Sequence, residues 1–151
     1  MAHLWAPRPD SRAALLVYLH ECAHFALHGD DVYRPHYLSE YQAESWAIAR
    51  MRKAGIAVPY QSLFWGRSRI AFLIARALLC WEAGLPVDPD AARFAWGRNA
   101  TRWLKSFLRA REDARHDRIG TSYPYFSCRK DGKVVTHTLQ FVSRRRGEPV
   151  P

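Results

Sequence analysis

The chain has 151 residues, of which 48% are hydrophobic and six are tryptophan, so it can bury one core without help from disulfides. Its three cysteines, Cys22, Cys80 and Cys128, are far apart and odd in number, which argues against a disulfide scaffold and for a reducing, cytoplasmic setting. Residues 92–151 hold 14 Lys/Arg against five Asp/Glu and so carry the whole net charge of +9, because residues 1–91 are balanced.

Targeting and membrane segments are not predicted. The N-terminal stretch MAHLWAPRPD lacks the charged region followed by an apolar run that marks a secretory signal. The apolar run at 13–27 is too short to span a bilayer and contains two histidines and a glutamate. A second apolar run at 70–86 is interrupted by Arg76 and Glu82. Both runs therefore predict buried helices of a protein that does not enter a membrane.

Two helices are predicted in the first third of the chain. Asp10 and Ser11 precede an apolar run and can cap a first helix, which Gly29 would end. Ser39 can cap a second helix, beginning at residue 40, which Gly55 would close.

The middle of the chain, residues 60–115, is also predicted to be helical. A third helix is expected over 62–84, where a glycine ends an apolar stretch. Asp88 as the cap, with Pro89 at the first helical position, gives a clear start to a fourth helix. That helix is expected to run unbroken to about Arg115.

The pattern changes in the last part of the chain. Residues 121–142 have aromatic and β-branched residues on both sides of Lys-Asp-Gly-Lys, which predicts a short C-terminal β-hairpin. A basic tail follows over 143–151. Without repeats or a long linker, residues 1–151 are expected to form a single domain of mainly α (α+β) class.

The pentapeptide HECAH, residues 20–24, lies inside the apolar run of the first helix. On a helix, His20 and His24 are about 40° apart and Glu21 lies about 60° from His24. Two imidazoles one turn apart can bind one zinc ion, Zn²⁺, and the adjacent carboxylate is placed to activate water. A pair of core histidines with satisfied hydrogen bonds is the alternative interpretation.

The second helix adds two carboxylates to a small, apolar face. This face contains Glu40, Ala43, Glu44 and Ala47, all within about 80° of Glu40. A buried carboxylate without a partner is costly, and a metal ion shared with the two histidines would remove that cost for Glu40. The alanines would let the helices approach closely, and Glu44 could hold a ligand histidine in one tautomer. Residues 10–55 are therefore predicted to form a metal-binding helix pair.

The two-part motif, HECAHFALHG and then EYQAESWA, resembles gluzincin-type zinc metallopeptidases, which have HExxH followed by ExxA[ED]. It is similar in particular to the ImmA/IrrE family and to the metallopeptidase domain of ArdC-type antirestriction proteins. The resemblance, over about residues 13–55, implies a zincin-like helical core, a protein or peptide substrate, an intracellular location and a mobile-element origin. The site residues it implies are the zinc ligands His20, His24 and Glu40, the general base Glu21 and the supporting acid Glu44.

Alternatives remain open at this site. In the metzincin pattern the third ligand would be Asp30, but that pattern needs a glycine where this chain has Leu27, so we favour Glu40. A degenerate relative, acting as a metal-stabilised module that binds nucleic acid or a host protein without cleavage, would carry the same ligands. Three further residues could approach the site and stabilise an oxyanion, or simply face solvent or cap a helix: His28, His36 and Tyr37.

The basic half of the chain suggests a second kind of partner. Four of its cations are candidates for phosphate contacts: Arg98, Arg102, Lys105 and Arg109. Trp96 or Trp103 could offer a surface on which bases stack. No helix-turn-helix, zinc-finger or RNP pattern predicts sequence-specific reading, and a solvated basic face is the alternative interpretation.

Overall fold

The computed structural model describes residues 6–28, 35–79, 86–115, 126–130 and 133–137, and this part of the chain is mainly helical, as predicted. Its helices are α1 (Arg12–His28), α2 (His36–Lys53), α3 (Tyr60–Leu79), α4 (Pro89–Trp96) and α5 (Ala100–Arg115). One 3-10 turn, Gly97–Asn99, connects α4 to α5.

The start of α1 is set by a serine. The Ser11 hydroxyl accepts a hydrogen bond from the backbone N–H of Ala14 at 3.1 Å, so it caps the helix as predicted. The helix is described as far as His28. Gly29 and Asp30, where its end was expected, lie outside the described residues.

The start of α2 differs from the prediction. The helix begins at His36, so the expectation that Ser39 caps it is wrong. Pro35 takes the N-cap position, and its carbonyl accepts hydrogen bonds from the N–H groups of Leu38 (2.9 Å) and Ser39 (3.3 Å), which closes the first turn without a side-chain cap. The other end agrees with the sequence, because Gly55 follows the helix with φ 69°, a value that glycine adopts without strain.

The predicted fourth helix is broken in two. Its start is confirmed, because Asp88 Oδ1 accepts hydrogen bonds from the N–H groups of Asp90 (3.0 Å) and Ala91 (2.8 Å). The unbroken run to Arg115 is wrong, because Gly97 adopts φ 55° and ends α4 one residue earlier. The 3-10 turn after Gly97 then redirects the chain into α5.

Helix α2 occupies the middle of the packing. On one side it packs against α1, and on the other it contacts α3, which in turn packs against α4 and α5. Ile70, Ile74 and Leu78 on α3 are almost completely buried and form the centre of the larger apolar cluster. None of the described helices combines the length and the apolarity that crossing a membrane requires.

Two short strands follow the helices. Strand β1 (Phe126–Lys130) pairs antiparallel with β2 (Lys133–His137), with Phe126 opposite His137. The turn between them, the rest of 121–142 and the tail at 143–151 lie outside the described residues, as does the predicted end of the third helix at Gly84. The complete hairpin therefore stays a prediction.

Candidate metal centre

Two histidines of α1 and one glutamate of α2 meet where these helices face each other. His20 Nε2 lies 3.4 Å from Glu40 Oε2, and His24 Nε2 lies 3.5 Å from Glu40 Oε1. The two Nε2 atoms are 3.1 Å apart. One ligand atom from each of the three residues lies within 4.8 Å of the others, a spacing that could hold one metal ion. We call His20, His24 and Glu40 the triad.

Small residues bring the two helices close enough for the triad to form. Ala23 on α1 and Ala43 and Ala47 on α2 have no exposed surface. A short glutamate side chain can therefore reach across to the imidazoles, as the alanine positions predicted. His20 and Glu40 are themselves buried, at 8% and 6% exposure.

The Glu40 carboxylate has a buried oxygen with cationic neighbours but no well-aligned hydrogen bond. Glu40 Oε2 is 3.0 Å from Arg69 Nη2 and 3.4 Å from His20 Nε2, but neither contact has hydrogen-bond geometry, and no other described residue supplies a hydrogen bond. Buried polar atoms almost always have a partner. A cation bound by the triad would give this oxygen one, so the residues present fit a metal ion.

The outer nitrogens of both histidines are held in place. His20 Nδ1 lies 3.0 Å from Glu44 Oε2 and donates to this carboxylate. His24 Nδ1 lies 3.0 Å from His28 Nδ1, and His28 Nε2 lies 3.2 Å from the Gln42 side-chain oxygen. Such partners fix the tautomer and ring orientation of metal-ligating histidines. Glu44 therefore has the position expected of it, whereas Gln42 was not identified from the sequence.

The side chains of His20, His24, His28 and Gln42 form a row, and one arrangement of protons gives every ring nitrogen in this row a hydrogen-bond partner. His28 Nε2–H donates to Gln42, His24 Nδ1–H donates to His28, and a proton on His20 Nε2 is donated to His24 Nε2. Removing the single proton between the two Nε2 atoms leaves a lone pair on each, and the Glu40 carboxylate oxygens lie 3.4 and 3.5 Å from these two nitrogens. Every other hydrogen bond in the row is unchanged, so an ion could replace that proton without rebuilding the site.

The protonation of the triad follows from its contacts. Burial lowers the pKa of His20, but the carboxylates of Glu40 and Glu44 outweigh it and raise the pKa to about 9. Burial raises the pKa of Glu40, but His20 and the Arg69 guanidinium outweigh it and lower the pKa to about 2. The pKa of His24 is lowered, chiefly because the imidazole is partly buried.

These shifts predict how the stability of the metal-free protein depends on pH. The contribution of His20 is complete below its ordinary pKa of 6.5 and is lost as pH rises through about 9. The contribution of Glu40 is complete above 4.5 and is lost as pH falls towards 2. Urea unfolding with a chelator present should therefore give a free energy of unfolding that falls between pH 6.5 and pH 9. Zinc-loaded protein is the control and should not show this fall, and a flat or rising profile without metal would contradict the assignment of the pKa of His20.

Two residues of α3 that the sequence did not single out complete the surroundings. Arg69 places its guanidinium beside Glu40 and, after His20, lowers the pKa of that carboxylate. Gly66 lies against Glu44, and a Cβ atom at this position would be 2.8 Å from Glu44 Cδ, too close for van der Waals contact. A glycine inside a strongly helical segment was the one available signal, because such a residue often marks a close approach.

Replacing Gly66 by alanine tests the close contact between this position and the Glu44 side chain. Alanine is the better helix former by about 1 kcal/mol. In the wild-type background, however, Gly66→Ala should lower the free energy of unfolding by about 1–3 kcal/mol because it displaces Glu44. In a Glu44→Ala background the same substitution should raise it by up to about 1 kcal/mol. Urea unfolding of the four proteins measures both changes, and equal effects in the two backgrounds would rule out the contact.

A pocket of about 470 Å³ opens beside the triad, between α1 and α3. Glu21, the predicted general base, lines it together with His20, Glu40, Glu44, Gly66 and Arg69. Its other walls are mostly apolar and include Leu16, Val17, Trp65 and Ile70. An apolar surface therefore lies directly beside the triad and the Glu21 carboxylate.

The remaining predicted site residues lie at different distances from the triad or outside the described residues. His36 Nε2 lies 3.3 Å from Glu40 Oε1 with its side chain 63% exposed, so it is at the edge of the site. His28 supports His24. Tyr37 is part of the apolar core, where its hydroxyl accepts a hydrogen bond from the Asp88 N–H at 3.1 Å, so this hydroxyl is engaged in the core rather than at the triad. Asp30, the alternative third ligand, lies outside the described residues.

The donor set defines what this arrangement can do. Two imidazoles and one carboxylate are ligands typical of catalytic zinc, and they leave one coordination position open. Comparison of the chain with protein-family models, curated proteins and solved structures found no match. The chemistry of the site therefore follows from its own residues, which could hold a divalent cation next to a pocket with the Glu21 carboxylate on its wall.

Proposed function

We propose that the protein is a zinc-dependent metallopeptidase that hydrolyses peptide bonds of a protein substrate. The observation that carries this proposal is the triad, with its ligand atoms within 4.8 Å, next to a pocket that Glu21 lines. The Glu40 oxygen without a well-aligned hydrogen bond and the fixed Nδ1 atoms of both histidines support a bound ion rather than a purely structural histidine pair.

Each residue has a defined part in this reaction. Zinc would supply Lewis-acid polarisation of the scissile carbonyl and of water. Glu21 takes a proton from the attacking water as its oxygen bonds to the carbonyl carbon. The C–N bond then breaks as Glu21 returns that proton to the leaving amine. Glu44 keeps His20 oriented, and His20 and the Arg69 guanidinium keep Glu40 ionised.

The pocket favours a particular kind of substrate. Leu16, Val17, Trp65 and Ile70 line the side next to Glu21, and about 470 Å³ is enough for one large side chain. A peptide whose scissile bond lies at the triad would place a neighbouring residue here. The preferred residue is apolar, because burying a charged side chain against these walls would be costly.

The same motifs support the finer parts of the proposal. HECAH followed by EYQAESWA is the reason to place the chain with the gluzincins, near the ImmA/IrrE-type and ArdC-type peptidases, and to expect a zincin-like core. The odd, widely spaced cysteines favour action in the cytoplasm. The predicted C-terminal hairpin would provide an edge strand along which an extended substrate could pair.

A chelator experiment tests the proposal. The purified full-length chain is loaded with zinc and incubated with casein, in the presence of o-phenanthroline or of its non-chelating meta isomer. Cleavage should stop with the ortho compound, continue with the meta compound, and return when zinc is added back. Stoichiometric zinc without any cleavage of casein or of a peptide library would instead identify a metal-stabilised binding module and overturn the proposal.

A further inference from the structure

A second pocket, of about 610 Å³, lies where α3 meets the junction of α4 and α5. Phe64 and Arg67 of α3 form one wall, and Trp96, Arg98 and Trp103 contribute to the other. On α3 these positions are about 180° from Gly66 and Arg69, which border the metal pocket. The second pocket is therefore separate from the proposed active site.

The break in the predicted fourth helix creates this pocket. Gly97, with φ 55°, and the two residues after it turn the chain between α4 and α5. In an unbroken helix, Trp96 and Arg98 would point in widely different directions around the helix axis. The turn instead places Trp96, Arg98 and Arg102 around one concavity.

The charge of this pocket has one sign. It is lined by Arg67, Arg98 and Arg102, and none of its lining residues is acidic. All three arginines are exposed, and among the residues whose side chains the structure describes no carboxylate forms an ion pair with them. Lys105 and Arg109 are also exposed and lie within about 60° of Arg102 on α5, so the positive surface continues along the helix as far as Arg109. Such a surface is suited to a chain of phosphates.

Aromatic rings are held rigidly beside these cations. Trp96 and Trp103 are half-buried, and each is stacked on the buried Phe107, with ring centroids 5.9 and 6.4 Å away. The Arg102 guanidinium lies 5.9 Å from the Trp103 ring. Rings that are fixed in this way lose little entropy on binding and offer π-faces to a planar ligand.

We propose that this pocket and the α5 surface bind single-stranded nucleic acid. The arginines contact the phosphates, and an unpaired base enters the pocket and packs on Trp96 or Trp103. A pocket of this volume can hold a ligand the size of a nucleotide. Double-stranded nucleic acid fits less well because its bases are already stacked in pairs. An acidic protein would pair with the arginines but would leave the tryptophan rings without a planar partner.

Fluorescence anisotropy of the full chain with a labelled oligothymidylate of about 15 nucleotides tests this proposal. The single strand should bind more tightly than a duplex of the same length, and its affinity should fall steeply between roughly 50 and 200 mM salt. The Arg98→Ala/Arg102→Ala double variant should bind roughly tenfold more weakly. Binding does not depend on zinc and should persist with a chelator, which separates this test from that of the peptidase.

Matched controls distinguish binding at this pocket from nonspecific attraction to the positive charge of the protein. The Arg50→Ala/Arg52→Ala double variant removes two exposed arginines at the end of α2 and should bind almost as tightly as wild type. Unlabelled polyphosphate and polyglutamate should compete at least tenfold less well than unlabelled oligothymidylate. The proposal is overturned if the two double variants lose affinity equally, if polyphosphate or polyglutamate competes as well as the oligonucleotide, or if no binding occurs at low salt.

Discussion

The Glu40→Ala variant should bind zinc at least about 100-fold more weakly than wild type while remaining folded. Glu40 contributes the only carboxylate of the triad and contacts both imidazoles, so its loss leaves a two-histidine site with no anionic ligand. Even residues that only orient ligands change metal affinity by about 10–100-fold, and losing a ligand should cost more. Competition with a chromogenic zinc chelator measures the affinity, and circular dichroism checks the fold.

The matched control for this variant is Glu44→Ala. Glu44 is equally buried and also contacts His20, but through the outer nitrogen rather than the metal-facing one. Its loss should weaken zinc binding by about 10–100-fold. If Glu40→Ala bound zinc as tightly as wild type, the third ligand would be elsewhere, and Asp30 would be the first residue to test.

The Glu21→Gln variant should lose peptide hydrolysis and retain its metal. Glutamine keeps the shape of the side chain but cannot accept the proton of the attacking water, so the rate should fall by about 10²–10⁴-fold. Zinc content should stay the same because Glu21 is not part of the triad. A fluorogenic peptide with an apolar residue next to the scissile bond measures the rate, and elemental analysis measures the zinc.

A neighbour on the same helix provides the control for Glu21. Cys22 is half-buried, is not among the residues that line the pocket, and is a free thiol. Cys22→Ala should keep the wild-type rate, which also excludes the thiol as the nucleophile. Hydrolysis by Glu21→Gln at the wild-type rate would remove Glu21 from the mechanism, although the metal site would stand.

The parts of this site that the sequence predicted are those that local geometry determines. The spacing of His20 and His24 places both imidazoles on one side of any helix, and the same reasoning places Glu40 and Glu44 on one face. The caps at Ser11 and Asp88 were also predictable, because a side-chain acceptor and two or three nearby N–H groups are sufficient.

The parts that the sequence did not reveal depend on packing between helices. Gly66 and Arg69 reach α2 only because α3 packs against it, and no spacing within α3 indicates this. Tyr37 is on the same helix as Glu40, yet it faces the α3–α5 core. The break at Gly97 was missed because one glycine inside a helical pattern is usually tolerated. Here that break forms the second pocket.

The triad already has most of the order that a metal site needs. Arg69 balances the buried Glu40 charge, and Glu44 and His28 orient the two imidazoles. Binding would therefore require the loss of one proton between the Nε2 atoms and little movement of side chains. A site that is organised in advance spends less free energy on ordering its ligands.

A crystal structure of the zinc-loaded protein, with anomalous data collected at the zinc absorption edge, tests the central claim most directly. We expect one ion per chain between α1 and α2, at about 2.0–2.2 Å from His20 Nε2, His24 Nε2 and a carboxylate oxygen of Glu40. The absence of an anomalous peak there, or a peak at other ligands with the Glu40 side chain turned away from the imidazoles, would contradict it.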